Sequence, residues 1–127
     1  MSEYELLLSK SQILLTEAIK DEKIGCYNKC ISSLWFAIEN LLKAIILRRK
    51  GSYPKKIGKL IAIMVQEIKS LNGDKIIIKY LRELYNDRKD IDHGLLIISK
   101  KRCREDLKKG EYVVKFLTDM FNIELPK

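Results

Sequence analysis

The 127-residue chain has a single histidine, His93, and only three cysteines, Cys26, Cys30 and Cys103. One imidazole and an odd set of thiols fall short of the roughly four ligands a structural zinc site takes, and they argue against a disulfide framework. The thiols read as buried side chains, although the Cys26 and Cys30 spacing would place both sulfurs on one helical face. Proline occurs twice and glycine six times, too few for a linker-like chain, and a hydrophobic share of 46% is too high for disorder. No uninterrupted apolar run approaches the roughly 18 residues of a membrane span, so no membrane is expected as partner. The acidic start, Met1 to Glu5, lacks the positive charge of a secretory signal, which makes a cytoplasmic location the expectation.

Acidic residues are missing from one long stretch. Between Asn40 and Gln66 every charge is positive: Lys43, Arg48, Arg49, Lys50, Lys55, Lys56 and Lys59. A second basic block, Lys100, Lys101, Arg102 and Arg104, precedes the C-terminal apolar stripe. The net charge of +8 favours attraction to phosphates or to an acidic partner, and a merely solubilising surface is the alternative. Scarce glutamine with abundant isoleucine and lysine points to a thermophilic source, which would also enrich surface charge.

The apolar residues recur at three- and four-residue intervals throughout, so the fold class is all-α. Length predicts one domain over 1–127. A first amphipathic helix is expected over about 2–20. A second, over about 23–50, carries the widest stripe, through Tyr27, Cys30, Ile31, Leu34, Trp35, Ile38, Leu41, Leu42 and Ile45. Gly51 breaks it, and Pro54 suits the first turn of a third helix, which bears Ile57, Leu60, Ile61, Met64, Val65 and Ile68 and ends before Asn72-Gly73. Asp74 is a candidate N-cap for a fourth, ending between Arg88 and Gly94, and Ser99 for a fifth. Gly110 within the stripe Cys103, Leu107, Val114, Leu117 and Phe121 implies a close helix neighbour. Short connections favour an up-and-down bundle of four to five helices. Phe36 falls on the otherwise polar side of the second helix, either at a homodimer contact or under another helix of the same bundle.

Two stretches carry a resemblance. Tyr27 to Leu47, followed by Gly51 and Pro54, and Leu81 to Gly94, leading through Ser99 into the last helix, resemble the HEPN domain family (higher eukaryotes and prokaryotes nucleotide-binding) in its small stand-alone prokaryotic form. The resemblance implies a HEPN-like bundle. Two family patterns overlap at Arg88. Ribonuclease-type members carry arginine, four to six residues, then histidine, which Arg88 and His93 satisfy. Others carry arginine, three residues, then Asp-Tyr, where this chain has Asp92 and His93. Lys89 stands where nuclease members often have Asn, Asp or His.

These patterns leave two functions open. As a metal-independent, toxin-like endoribonuclease, the protein would need no cofactor. His93 would move the proton of a 2′-hydroxyl, Arg88 would hold the phosphoryl oxygens and Asp92 would orient either. The resemblance implies that two copies of the motif meet across a dimer. As a binding or regulatory module, it would pair with a minimal nucleotidyltransferase, with Lys89, Lys55, Lys56, Lys59 and the block Lys100, Lys101, Arg102 and Arg104 facing RNA or nucleotide. Five helical residues rotate by about 140°, so Arg88 and His93 share a face only if the helix ends or loosens between them. Arg88 and Asp92, four apart, would instead form an ordinary ion pair.

Overall fold

A computed structural model describes residues 1–126. Among them are five helices and no strand: α1 (Glu3–Lys23), α2 (Tyr27–Lys50), α3 (Ile57–Ser70), α4 (Lys75–Asp92) and α5 (Lys100–Met120). The expected caps are present. Asp74 Oδ1 accepts from the Ile76 N–H at 3.0 Å, and Ser99 Oγ accepts from the Arg102 N–H at 3.1 Å. Each serves a donor that the first turn of a helix leaves without a partner.

Two boundaries differ from the sequence reading. The first helix runs on to Lys23, and Ile24-Gly25-Cys26 turn the chain before α2 begins at Tyr27. Cys26 is therefore exposed ahead of the helix while Cys30 is buried inside it, so the two do not share a helical face and Cys26 is not a core thiol. Pro54 does not open α3. That helix starts at Ile57, after Lys56, whose side chain makes no capping bond.

The second helix packs against all four others, as its wide stripe requires. It is long and apolar enough by composition to cross a membrane, but 67% of that window is buried, as in the core helix of a bundle. Polar ties fix its antiparallel register on α1: Ser11 Oγ donates to Ala37 O at 2.6 Å, and Arg48 Nη1 donates to Tyr4 Oη at 3.0 Å. Pairs at Asp87 with Arg102 and Glu83 with Lys109 set α4 antiparallel to α5. Gly110 lies where α5 meets α2. A Cβ there would stand 2.5 Å from Leu34 Cδ1, so the close approach read from the sequence is real.

Candidate functional site

The end of α4 is built by its last turn. His93 is the C-cap, Gly94 takes a positive φ of 69°, and the Gly94 and Leu95 N–H groups donate to Ile91 O at 3.0 Å and Asp90 O at 2.9 Å. This double bond pattern closes a helix where glycine supplies the left-handed residue. The helix stays intact from Arg88 through Asp92. It does not loosen between Arg88 and His93, and the two side chains keep the helical offset of about 140°. His93 is exposed, and so are Leu95 (78%) and Ile97 (90%) in the segment that follows it.

Arg88 turns toward α2. Its guanidinium carbon sits 4.4 Å from the centre of the Phe36 ring, and Nη1 lies 2.7 Å from Asp92 Oδ2. Nε is buried without a hydrogen-bond partner. Phe36 thus sits half-buried beneath α4 of the same bundle. Around this pair, Asn40 Nδ2 donates to Phe36 O at 2.8 Å, Trp35 packs 5.2 Å from Tyr85, and Lys89 Nζ lies 5.6 Å from the Tyr85 ring centre. Asp92, the ion-pair partner, is close enough to compete with any phosphate for Arg88.

The basic residues divide into two groups. Arg48 donates to Tyr4 Oη and to Phe121 O, Arg49 and Lys50 both pair with Glu67, and Lys43 pairs with Glu39. The Glu67 carboxyl is held below its ordinary range, first by the hydrogen bond from Lys50. These four cations bind the fold together. Lys55, Lys56 and Lys59 instead stand exposed on the approach to and first turn of α3.

At the start of α5, Arg102 is committed to Asp87 and Arg104 to Glu22, the latter at 2.8 Å. Lys100 and Lys101 are exposed and, with Arg104, Glu105 and Lys108, line a shallow cleft of about 490 Å³. The sequence-predicted residues therefore lie in three places: Arg88, Lys89, Asp92 and His93 at the end of α4, the lysines at the start of α3, and the mouth of α5.

A second polar cluster went unread in the sequence. Asp87 and Asp106 are buried between α4 and α5, with Glu83 and Lys109 beside them. Burial, then the hydrogen bond to Asp87 and the charge of Asp87, pushes the Asp106 carboxyl up to about 8. Burial also pushes Asp87 up, but hydrogen bonds from Asp106 and Arg102 outweigh it and hold Asp87 below the usual carboxylate range. Asp106 is the protonated member of the pair. The signal was available: Asp106 falls three residues after Cys103 and one before Leu107, within the apolar stripe. Cys30 and Cys103 meet at the α2–α5 contact, and burial raises both thiols above their ordinary range. Among the described residues no cluster of His, Cys, Asp and Glu could hold a metal ion.

The HEPN domain model matches residues 4–120 of this all-helical chain. The chain belongs to the HEPN domain family. No curated protein matches the sequence at a significant level.

Proposed function

We propose that this HEPN protein is a cytoplasmic, homodimeric binding module that engages the phosphates of RNA or of a nucleotide and works beside a minimal nucleotidyltransferase. The observation that carries the reading is the commitment of Arg88: Asp92 of its own helix holds its Nη1 at 2.7 Å, and Phe36 lies beneath it. His93 leaves α4 at a different angle, so one protomer does not aim both groups at a single phosphate. Lys100, Lys101 and Lys108 around the α5 cleft, with Lys55, Lys56 and Lys59, supply exposed positive charge for a polyanion. Counterion release should make such binding fall steeply with salt. Fluorescence anisotropy of a labelled single-stranded RNA tests this. Affinity should drop with added salt, and Lys100→Ala with Lys101→Ala should flatten the salt slope by about 2 phosphates' worth. Affinity indifferent to salt would remove the reading.

The ribonuclease reading keeps one observation in its favour: buried Arg88 Nε has no partner among the described residues, so the guanidinium has an unused donor, five residues before the exposed His93. In a dimer, His93 of one protomer and Arg88 of the other would compose the site without metal. RNA cleavage in chelator, spared when the strand carries 2′-deoxyribose, would support it. His93→Ala and Arg88→Ala should then each lower the rate by about 10²-fold or more. Absence of cleavage from a folded dimer leaves the binding module.

A further inference from the structure

Lys100, Lys101, Arg104 and Lys108 line the cleft at the start of α5 around a single carboxylate, Glu105. Arg104 is tied to Glu22, while the three lysines enter no ion pair among the described residues. A second depression, of about 340 Å³, shares Glu105 and Lys108 with that cleft and adds Tyr80, Lys109 and Tyr112. A third, of about 210 Å³, shares Tyr112 and adds Lys115, Phe116 and Asp119. The three join into one strip along α5. At about 100° per residue, Lys101, Lys108, Tyr112 and Lys115 fall within about 60° of one another around the helix and extend over about 21 Å of its length.

Tyr112 is the aromatic residue of this strip that meets water. It is 47% exposed, and its ring is braced edge to face against Tyr80 at 5.9 Å, while Lys109 Nζ lies 5.8 Å from the centre of the Tyr80 ring. A ring held at one place and open elsewhere loses little freedom when a flat group stacks on it. Lys108, one turn before, and Lys115, one turn after, set cations on both sides of the ring, the combination that binds single-stranded nucleic acid. Asp119 lies 3.9 Å from Lys115, but both are largely exposed, so that pair contributes little and opens readily to a phosphate. Bases inside a duplex already have both faces stacked, so an unpaired strand is what offers a face to Tyr112. A mononucleotide would cover only one step of a strip about 21 Å long.

We propose that the outer face of α5 is a track for single-stranded RNA, with a base stacked on Tyr112 and the phosphates on either side held by Lys101, Lys108 and Lys115. This rests on the phosphate-binding reading above and chooses a strand over a free nucleotide. The track uses none of Arg88, Asp92 and His93.

Anisotropy of a labelled oligoadenylate RNA of about twelve nucleotides, titrated with the full chain at low salt, tests the track. Tyr112→Leu should weaken binding of the strand by about 10-fold, and leave unchanged both the salt slope and the binding of the same strand annealed to oligouridylate. Tyr112→Phe should keep the parent affinity. Lys101→Ala with Lys108→Ala should reduce the salt slope by about 2. Adenosine monophosphate in large excess should fail to displace the strand. Circular dichroism confirms that the variants fold. Salt-dependent binding that neither the tyrosine nor the lysine variant alters overturns the track and leaves the phosphate-binding reading to the rest of the chain. A Tyr112→Leu loss that is equal for strand and duplex overturns the stacking. Displacement by equal amounts of adenosine monophosphate, or polyglutamate bound as tightly as the strand, overturns the choice of RNA. No salt-dependent binding of strand, duplex or nucleotide removes the phosphate-binding reading, and the track with it.

Discussion

Arg88 lies 4.4 Å from the Phe36 ring centre, and the two residues come from different helices that the sequence separates by more than fifty positions. The contact joins α4 to α2. A cation over a partly desolvated ring contributes about 0.5–2 kcal/mol. Phe36→Leu keeps most of the volume and removes the π face, and Arg88→Met removes the charge. A thermal double-mutant cycle should therefore show a favourable coupling of about 1 kcal/mol. Additive losses would mean that Arg88 merely rests there.

The Asp87–Asp106 pair sets a pH dependence. Asp106 titrates at about 8 in the folded chain, against about 4 for an unfolded aspartate. Between those values the folded state binds the extra proton, so this residue's contribution to stability falls as pH rises from about 4 to about 8 and levels off above. Asp87 has the opposite sign, since its folded value is depressed. Its contribution is present above about pH 4 and lost as acid protonates it. Asp106→Asn should supply a permanent N–H donor to Asp87. Melting temperature should rise in the variant, more at pH 9 than at pH 5. A variant that melts lower than the parent at pH 9 would show that the proton is not shared as inferred.

The helices, their caps and the central place of α2 were legible because each rests on local chemistry: a period of 3.6, an Asp or Ser before a helix, a glycine after one. The ends of α1 and α3 were less so. The sequence pattern could not show that Lys23 still belongs to α1, because nothing local forbids either side of Gly25, nor that the chain stays out of a helix from Pro54 to Lys56. The candidate site was legible as residue types but not as pairings. Arg88 with Asp92 follows from four-residue spacing, whereas Arg88 over Phe36, Arg102 on Asp87 and Arg104 on Glu22 depend on how helices are brought together. The basic runs read as one surface in sequence, yet Arg48, Arg49 and Lys50 are tied to Phe121, Tyr4 and Glu67 within the fold.

Gly110 gives a packing test. Alanine is a better helix former than glycine by about 1 kcal/mol, which by itself would stabilise α5. Its Cβ, however, would stand 2.5 Å from Cδ1 and 2.7 Å from Cδ2 of Leu34, a side chain with 0% exposure and nowhere to swing. Overpacking of this kind costs about 1–3 kcal/mol, so Gly110→Ala should lower the melting temperature. Leu34→Ala removes the clashing methyls, so the double variant should be less damaging than the sum of the single changes. A Gly110→Ala protein more stable than the parent would mean that α2 and α5 separate freely.

The proposed dimer has its own test at the end of α4. Leu95 and Ile97 expose 78% and 90% of their surface within four residues of His93, and an apolar patch beside a polar site is where a second copy would dock. A two-fold arrangement would set this patch against its own equivalent and bring the two α4 ends together. Leu95→Asp with Ile97→Asp should therefore convert a dimer into a monomer in sedimentation at tens of micromolar protein. The helical content should not change, because both side chains already face solvent. If RNA binding or cleavage draws on both copies, the same variant should lose it with every basic residue still in place. A parent chain that sediments as a monomer would remove the dimer. A variant that stays dimeric would move the contact away from this loop.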